Sequence, residues 1–146
     1  MGNGIMHWNL IAPINNLGYG RVGTALVVES IKAGDALSLF PIGNLEYLQD
    51  YSSSITTAIE NADKFDRLAP CVRLWHQHDM SMFVGVDKHI GFPIFELDRF
   101  TPKEKHHLRS CDRLFVCSEW AKRVCEYSFS TDTRVVPLGF NPNLSL

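Results

Sequence analysis

The most constraining feature of this chain is an alternation. Short, nearly unbroken apolar runs are separated by longer stretches whose apolar residues recur three and four positions apart. Runs over 5–14, 36–42, 71–75, 90–95, 113–117 and 134–138 read as strands. Between them, Thr24, Val27, Val28 and Ile31 share one face of a helix over 20–33, and Leu48, Ser52, Ile55, Ile59 and Ala62 share one face of a second. Two more helices follow over 101–110 and 118–129. Thr101, Pro102 and Glu104 form a helix start with a capping box, and Ser118 is placed to cap the last helix. Gly34 supplies a glycine stop to the first. Residues 80–91 carry no clear period, and Pro93 marks its strand as irregular or at an edge.

Apolar strands without a polar alternation, set between helices, are buried on both faces. The expected fold is therefore α/β: one Rossmann-like, doubly wound domain over 1–146, with a mainly parallel sheet and helices on both faces. Residues 138–146 read as the start of a linker. A chain of 146 residues fits one domain, and 45% hydrophobic with 21% charged residues excludes a disordered or fibrous chain.

A formal charge of −2, with no basic tail or stripe, gives no reason to expect a nucleic-acid partner. The four cysteines, Cys71, Cys111, Cys117 and Cys125, form no C-x-x-C pair and sit in apolar runs. They read as buried free thiols in a reducing, cytoplasmic setting. The N-terminal segment has no basic region followed by a long apolar one, so no signal peptide is expected. No run approaches the ~20 apolar residues of a membrane span. Peripheral attachment to a membrane surface is compatible with this.

In open α/β sheets ligands bind at the carboxyl ends of the strands. Four segments there carry chemistry. Gly18-Tyr19-Gly20-Arg21-Val22-Gly23 matches G-x-G-x-x-G and opens a helix, where backbone N–H groups can face an anion. As a nicotinamide site it is a poor match: the strand lies too far upstream, and the second strand ends in Phe40-Pro41-Ile42-Gly43 without an acidic ribose ligand. The plain alternative is a glycine turn that permits close packing. His76-Gln77-His78-Asp79 follows the third strand. Alternation puts His76 and His78 on one side, where with Asp79 they could bind a divalent metal and support a hydrolase. No third firm ligand is visible, and a substrate-contacting or structural pair is the favoured reading. Glu96 and Asp98 could act as paired carboxylates; alternatively Asp98 is simply solvated and Glu96 pairs with Arg99 or another basic group, a reading that suits Asp98 better than Glu96, which Phe95 and Leu97 hem in. Ser118 lacks a nucleophile-elbow sequence, so helix capping explains it better.

Taken as an ordered set, Gly91-Phe92-Pro93-Ile94-Phe95-Glu96-Leu97-Asp98, then Cys111 to Lys122 (CDRLFVCSEWAK), then Val135-Val136-Pro137-Leu138-Gly139-Phe140-Asn141 resemble the N-terminal domain of a GT-B glycosyltransferase. The likeness is to the retaining glycosyltransferase family four group, and Gly18-Tyr19-Gly20 is similar to that family's first glycine-rich loop. The resemblance implies transfer of a sugar from a nucleotide-sugar donor to a hydroxyl acceptor in a cleft between two Rossmann-like domains. It implies no redox cofactor and no obligatory metal. His76 or His78 would contact the transferred sugar near the reacting centre. Gly18, Tyr19 and Gly20 would approach the donor, Asp79 would lie beside the histidines, Glu96 would line the acceptor side, and Ser118 would be mostly structural. Asn141 stands where the family commonly has Asp. In the family a C-terminal domain follows this point and carries most of the donor-binding residues. It is absent from this sequence, so the chain alone is expected to be inactive. A non-catalytic scaffold that pairs with a second copy or a partner half is the alternative from another class.

Overall fold

The computed structural model describes residues 5–137. The linker over 138–146, with Leu138 and Asn141, lies outside them. Six strands, β1 (His7–Ala12), β2 (Ala36–Pro41), β3 (Cys71–Leu74), β4 (His89–Phe92), β5 (Arg113–Val116) and β6 (Thr133–Val135), are connected through α1 (Gly18–Lys32), α2 (Ser52–Asn61), α3 (Pro102–Arg109) and α4 (Glu119–Ser128), except that β3 leads to β4 without a helix. The strands form one sheet in the order β2-β1-β3-β4-β5-β6. Every pairing is parallel, which is the α/β Rossmann-like architecture that the apolar runs predict.

The register shows how two cores arise from one sheet. Leu10 lies beside Leu39 and Val72, Val72 beside Ile90, and Leu74 beside Phe92. These side chains share one face and pack against Val27 and Val28 of α1 and Ile55 and Ala58 of α2. Gly91 pairs with Leu114, so Leu114 and Val116 belong to the opposite face. There they pack with Leu108 of α3 and Ala121, Val124 and Cys125 of α4. Helices thus pack on both faces of the sheet.

Local signals set most of the boundaries. Thr101 Oγ1 accepts from Glu104 N while Glu104 Oε1 accepts from Thr101 N, the reciprocal box expected at α3. Ser118 Oγ accepts from Ala121 N at the start of α4. Gly34 takes φ +90° just after α1, a region a β-carbon disfavours.

Several boundaries differ from the sequence reading. β1 spans 7–12 rather than 5–14. β4 ends at Phe92 because Pro93 cannot donate to a ladder. The second helical stretch is split: a 3-10 turn at Gln49–Tyr51 precedes α2, and another at Ala62–Lys64 follows it. The segment over 80–91 is irregular apart from the start of β4. The helix after β1 begins at Gly18, two residues earlier than its apolar period suggests.

The buried thiols make stability sensitive to alkali. Burial pushes Cys111 and Cys125 up to about 12, and raises Cys71 as well. In the unfolded chain these thiols ionise near their ordinary value of 9.0. Between those limits the unfolded state binds fewer protons than the native state, so stability falls as pH rises. The urea midpoint is expected to be insensitive to this effect below pH 9 and to decline from pH 9 towards 12. A flat midpoint across that window would show that these thiols are not held protonated.

Candidate functional site at the strand carboxyl ends

The chain leaves β1 for β2 on one side and later enters β3 on the other side of β1. The order reverses between β1 and β3, the place where open α/β sheets form a ligand crevice at the carboxyl ends of their strands. The segment after β1 leads into α1, and the segment after β3 is Trp75–Asp79.

The α1 side begins with a tight entry. Asn15 Oδ1 accepts from Leu17 N, Leu17 is extended, and the helix starts at the next residue. Gly18-Tyr19-Gly20 is therefore the first turn of α1 and not a free loop before it. Gly20 is a packing glycine, since a β-carbon would overlap Asn15 Oδ1. Gly18 is exposed, with open space where a β-carbon would stand. No side chain caps the first N–H groups and no acidic residue sits in the first turn, so this end of α1 presents donors and a positive partial charge.

Tyr19 joins the two sides of the crevice. Its hydroxyl donates to Ile94 O at 2.7 Å and accepts from Ile94 N at 2.9 Å. Burial pushes the phenol up to about 12. The Ile94 N–H draws it down, and the neighbouring Cys117 pushes it up further. The Tyr19 ring meets His76 edge-on with centroids 4.7 Å apart and lies 5.7 Å from Trp75. Trp75 and His76 are 4.7 Å apart, and His76 stacks on His78 at 5.3 Å with planes 5° apart. A continuous wall of rings results: Trp75 and Tyr19 around His76, with His78 outermost and exposed.

The histidine segment is a turn and not an extended strand. Asp79 N donates to His76 O, yet both rings still lie on one side, as the spacing predicts. The turn is pinned from beneath. Buried Gln77 donates to Glu104 Oε2 at 3.1 Å, and His107 Nδ1 accepts from Met80 N at 2.9 Å. The helix that follows β4 thereby holds the loop that follows β3. Burial lowers the His76 pKa, His78 lowers it further, and Asp79 opposes both. His76 is thus favoured as a neutral imidazole with one donor and one acceptor nitrogen.

Asp79 is engaged elsewhere. Its carboxylate lies 3.2 Å from Arg73 Nη2, and its carbonyl accepts from Arg73 Nε. Arg73 is buried within the sheet, so Asp79 balances a desolvated guanidinium. Among the described residues no three His, Cys, Asp or Glu side chains gather as a metal would require. Glu96 is exposed beside buried Phe95 and exposed Leu97, so its neighbours do not enclose it as the sequence suggests. Ser118 caps α4.

The structure therefore brings Tyr19, His76 and His78 into contact, with Gly18 next to Tyr19 in the first turn of α1. Gly20 serves packing there and Asp79 serves Arg73. Sequence reasoning missed Trp75, although a tryptophan closing an apolar strand beside a histidine was a usable signal. It also missed the Ile94 backbone and the Gln77 and His107 anchors, which depend on contacts across 27 to 75 residues of chain.

Comparison with protein-family models, with curated proteins and with solved structures yields no match to this chain.

Proposed function

We propose that this chain forms the acceptor-side half of a glycosyltransferase that moves a sugar from a nucleotide-sugar donor to a hydroxyl acceptor. The observation that carries the reading is the ring wall of Tyr19, Trp75, His76 and His78 at the sheet's reversal point, beside the uncapped start of α1. Aromatic faces suit the C–H faces of a pyranose, and imidazole nitrogens suit its hydroxyls. The α1 N-terminus suits an anionic group.

In such a transfer the bond between the anomeric carbon and a phosphate oxygen breaks. A bond from the acceptor oxygen to that carbon forms, and the acceptor's hydroxyl proton passes to the phosphate oxygen of the departing nucleoside diphosphate. In this chain His78, the outermost ring, would meet the transferred sugar, with His76 behind it holding the ring plane. The diphosphate needs further cationic groups to stabilise its leaving, and in this reading a second domain supplies them. Isolated, the chain would bind sugars weakly and transfer them little.

A rim of exposed apolar side chains agrees with a surface that another domain covers. Leu17 follows β1, Leu48 follows β2, Leu97 follows β4 and Trp120 follows β5, with exposures of 75%, 47%, 55% and 41%. The same rim favours a second reading, a non-catalytic Rossmann-like scaffold that pairs with another chain.

Saturation-transfer NMR on the chain separates the two. With a panel of nucleotide hexoses, the hexose ring protons are expected to receive saturation more strongly than the nucleobase protons, and His78→Ala is expected to reduce that signal with an unchanged unfolding midpoint. His76→Ala, run in parallel, assigns the two rings. Stronger saturation of the base, or a hexose signal indifferent to both substitutions, would remove the sugar-binding role and leave the scaffold.

A further inference from the structure

At the opposite end of the strands a cavity of about 590 Å³ lies over β1 and β2. Register places Asn9 beside Ser38, on the sheet face away from the core of α1 and α2. Here the face is crossed by the strap over 61–70. Ser38 Oγ donates to Asn61 O, and the Phe65 ring meets Phe40 edge-on at 5.3 Å.

The floor of this cavity has acceptors to spare. Asn9 is 1% exposed. Its amide nitrogen donates to Asp66 O at 3.0 Å and to Ala69 O at 3.5 Å, which fixes the orientation of the amide. Asn9 Oδ1 has no partner, the one such buried side-chain atom among the described residues. Buried acceptors are ordinarily satisfied. Ser38 is also buried and commits its proton to Asn61 O, so it offers lone pairs only.

The rim is acidic. Glu60, Asp63 and Asp66 line the cavity together with a single lysine, Lys64. His7 Nδ1 lies 3.8 Å from Asp66 Oδ2. The carboxyl end of α2, at Asn61, adds the negative end of its helix dipole. A matching ligand brings N–H donors and positive charge. No three of these side chains gather as a metal ion requires, whereas an ammonium can donate to a single acceptor and be attracted at longer range by the carboxylates around it.

We propose that this cavity binds a small aliphatic amine, its ammonium donating to Asn9 Oδ1 while the rim carboxylates of Glu60, Asp63 and Asp66 supply the negative charge around it. The site lies at the other end of the sheet from the ring wall and does not depend on the sugar-transfer reading.

The test is a titration of the whole chain with putrescine, followed in amide NMR spectra. Butanediol serves as the neutral control and sodium chloride as the ionic-strength control. Saturable shifts at Asn9, Ser38 and Asn61 are expected with putrescine and with neither control. The rim variant Glu60→Gln with Asp63→Asn, both exposed positions, is expected to weaken binding about fivefold with an unchanged unfolding midpoint. Shifts that do not saturate, that match either control, or that persist at equal strength in the rim variant would overturn the proposal, and the Asn9 acceptor would then belong to water. The wild-type titration with its two controls is decisive even if the variant fails to fold.

Discussion

Phe92→Ala is expected to lower the unfolding free energy by about 3–5 kcal/mol, the range for deleting a fully buried aromatic ring. Phe92 is 1% exposed at the end of β4 and pairs in register with Leu74. Its ring meets Phe115 edge-on at 5.9 Å, and it belongs to the core that α1 and α2 cover. A domain of this kind has only about 5–15 kcal/mol to lose. The urea midpoint should fall sharply with its slope unchanged, while Phe92→Leu, which keeps most of the volume, should cost less than about 1.5 kcal/mol. A Phe92→Ala loss below about 1 kcal/mol would mean that the site collapses freely and that this core is not closely packed.

Tyr19→Phe is expected to cost about 2–3 kcal/mol although only one oxygen is removed. That oxygen serves both the N–H and the carbonyl of Ile94, and each partly buried backbone group left unpaired costs roughly 1–3 kcal/mol. The ring contacts with Trp75 and His76 remain available to phenylalanine, so the loss reports the hydroxyl alone. The pH dependence supplies a second signature. The native phenol is held protonated up to about 12, while the unfolded one ionises near 10.0. Its stabilisation is complete below pH 10 and is lost as pH rises towards 12, so the gap between wild type and Tyr19→Phe should narrow over that window. Chemical denaturation at matched pH values measures this. A gap that is small at neutral pH and constant into alkali would show that the Tyr19–Ile94 clamp carries no energy.

Much of this arrangement was legible in the sequence because it is written in local terms. Strands buried on both faces cannot alternate, so their apolar runs betrayed a parallel sheet. Thr101, Ser118 and Gly34 marked helix ends through chemistry that operates within a few residues. The start of α1 was less legible, because Gly18 and Gly20 are poor helix formers and their turn is set by Asn15 and by packing. The site was half legible. The His76 and His78 spacing foretold two rings on one side. The pairing of Asp79 with Arg73 was not legible, because it arises only once Arg73, inside an otherwise apolar strand, is buried and needs a counter-charge. The anchoring of the histidine turn by Glu104 and His107 was invisible, since it depends on α3 packing beneath that loop.

If the ring wall between β1 and β3 receives a sugar, its own rings must respond to one. The most direct measurement follows the Trp75 indole and the His76 and His78 ring resonances of the intact chain during titration with a nucleotide hexose, with the matching nucleoside diphosphate as control. The account predicts progressive shifts at these three rings that the sugar-free diphosphate does not reproduce. Rings that stay unmoved while other residues respond, or that move equally with the diphosphate alone, would contradict it.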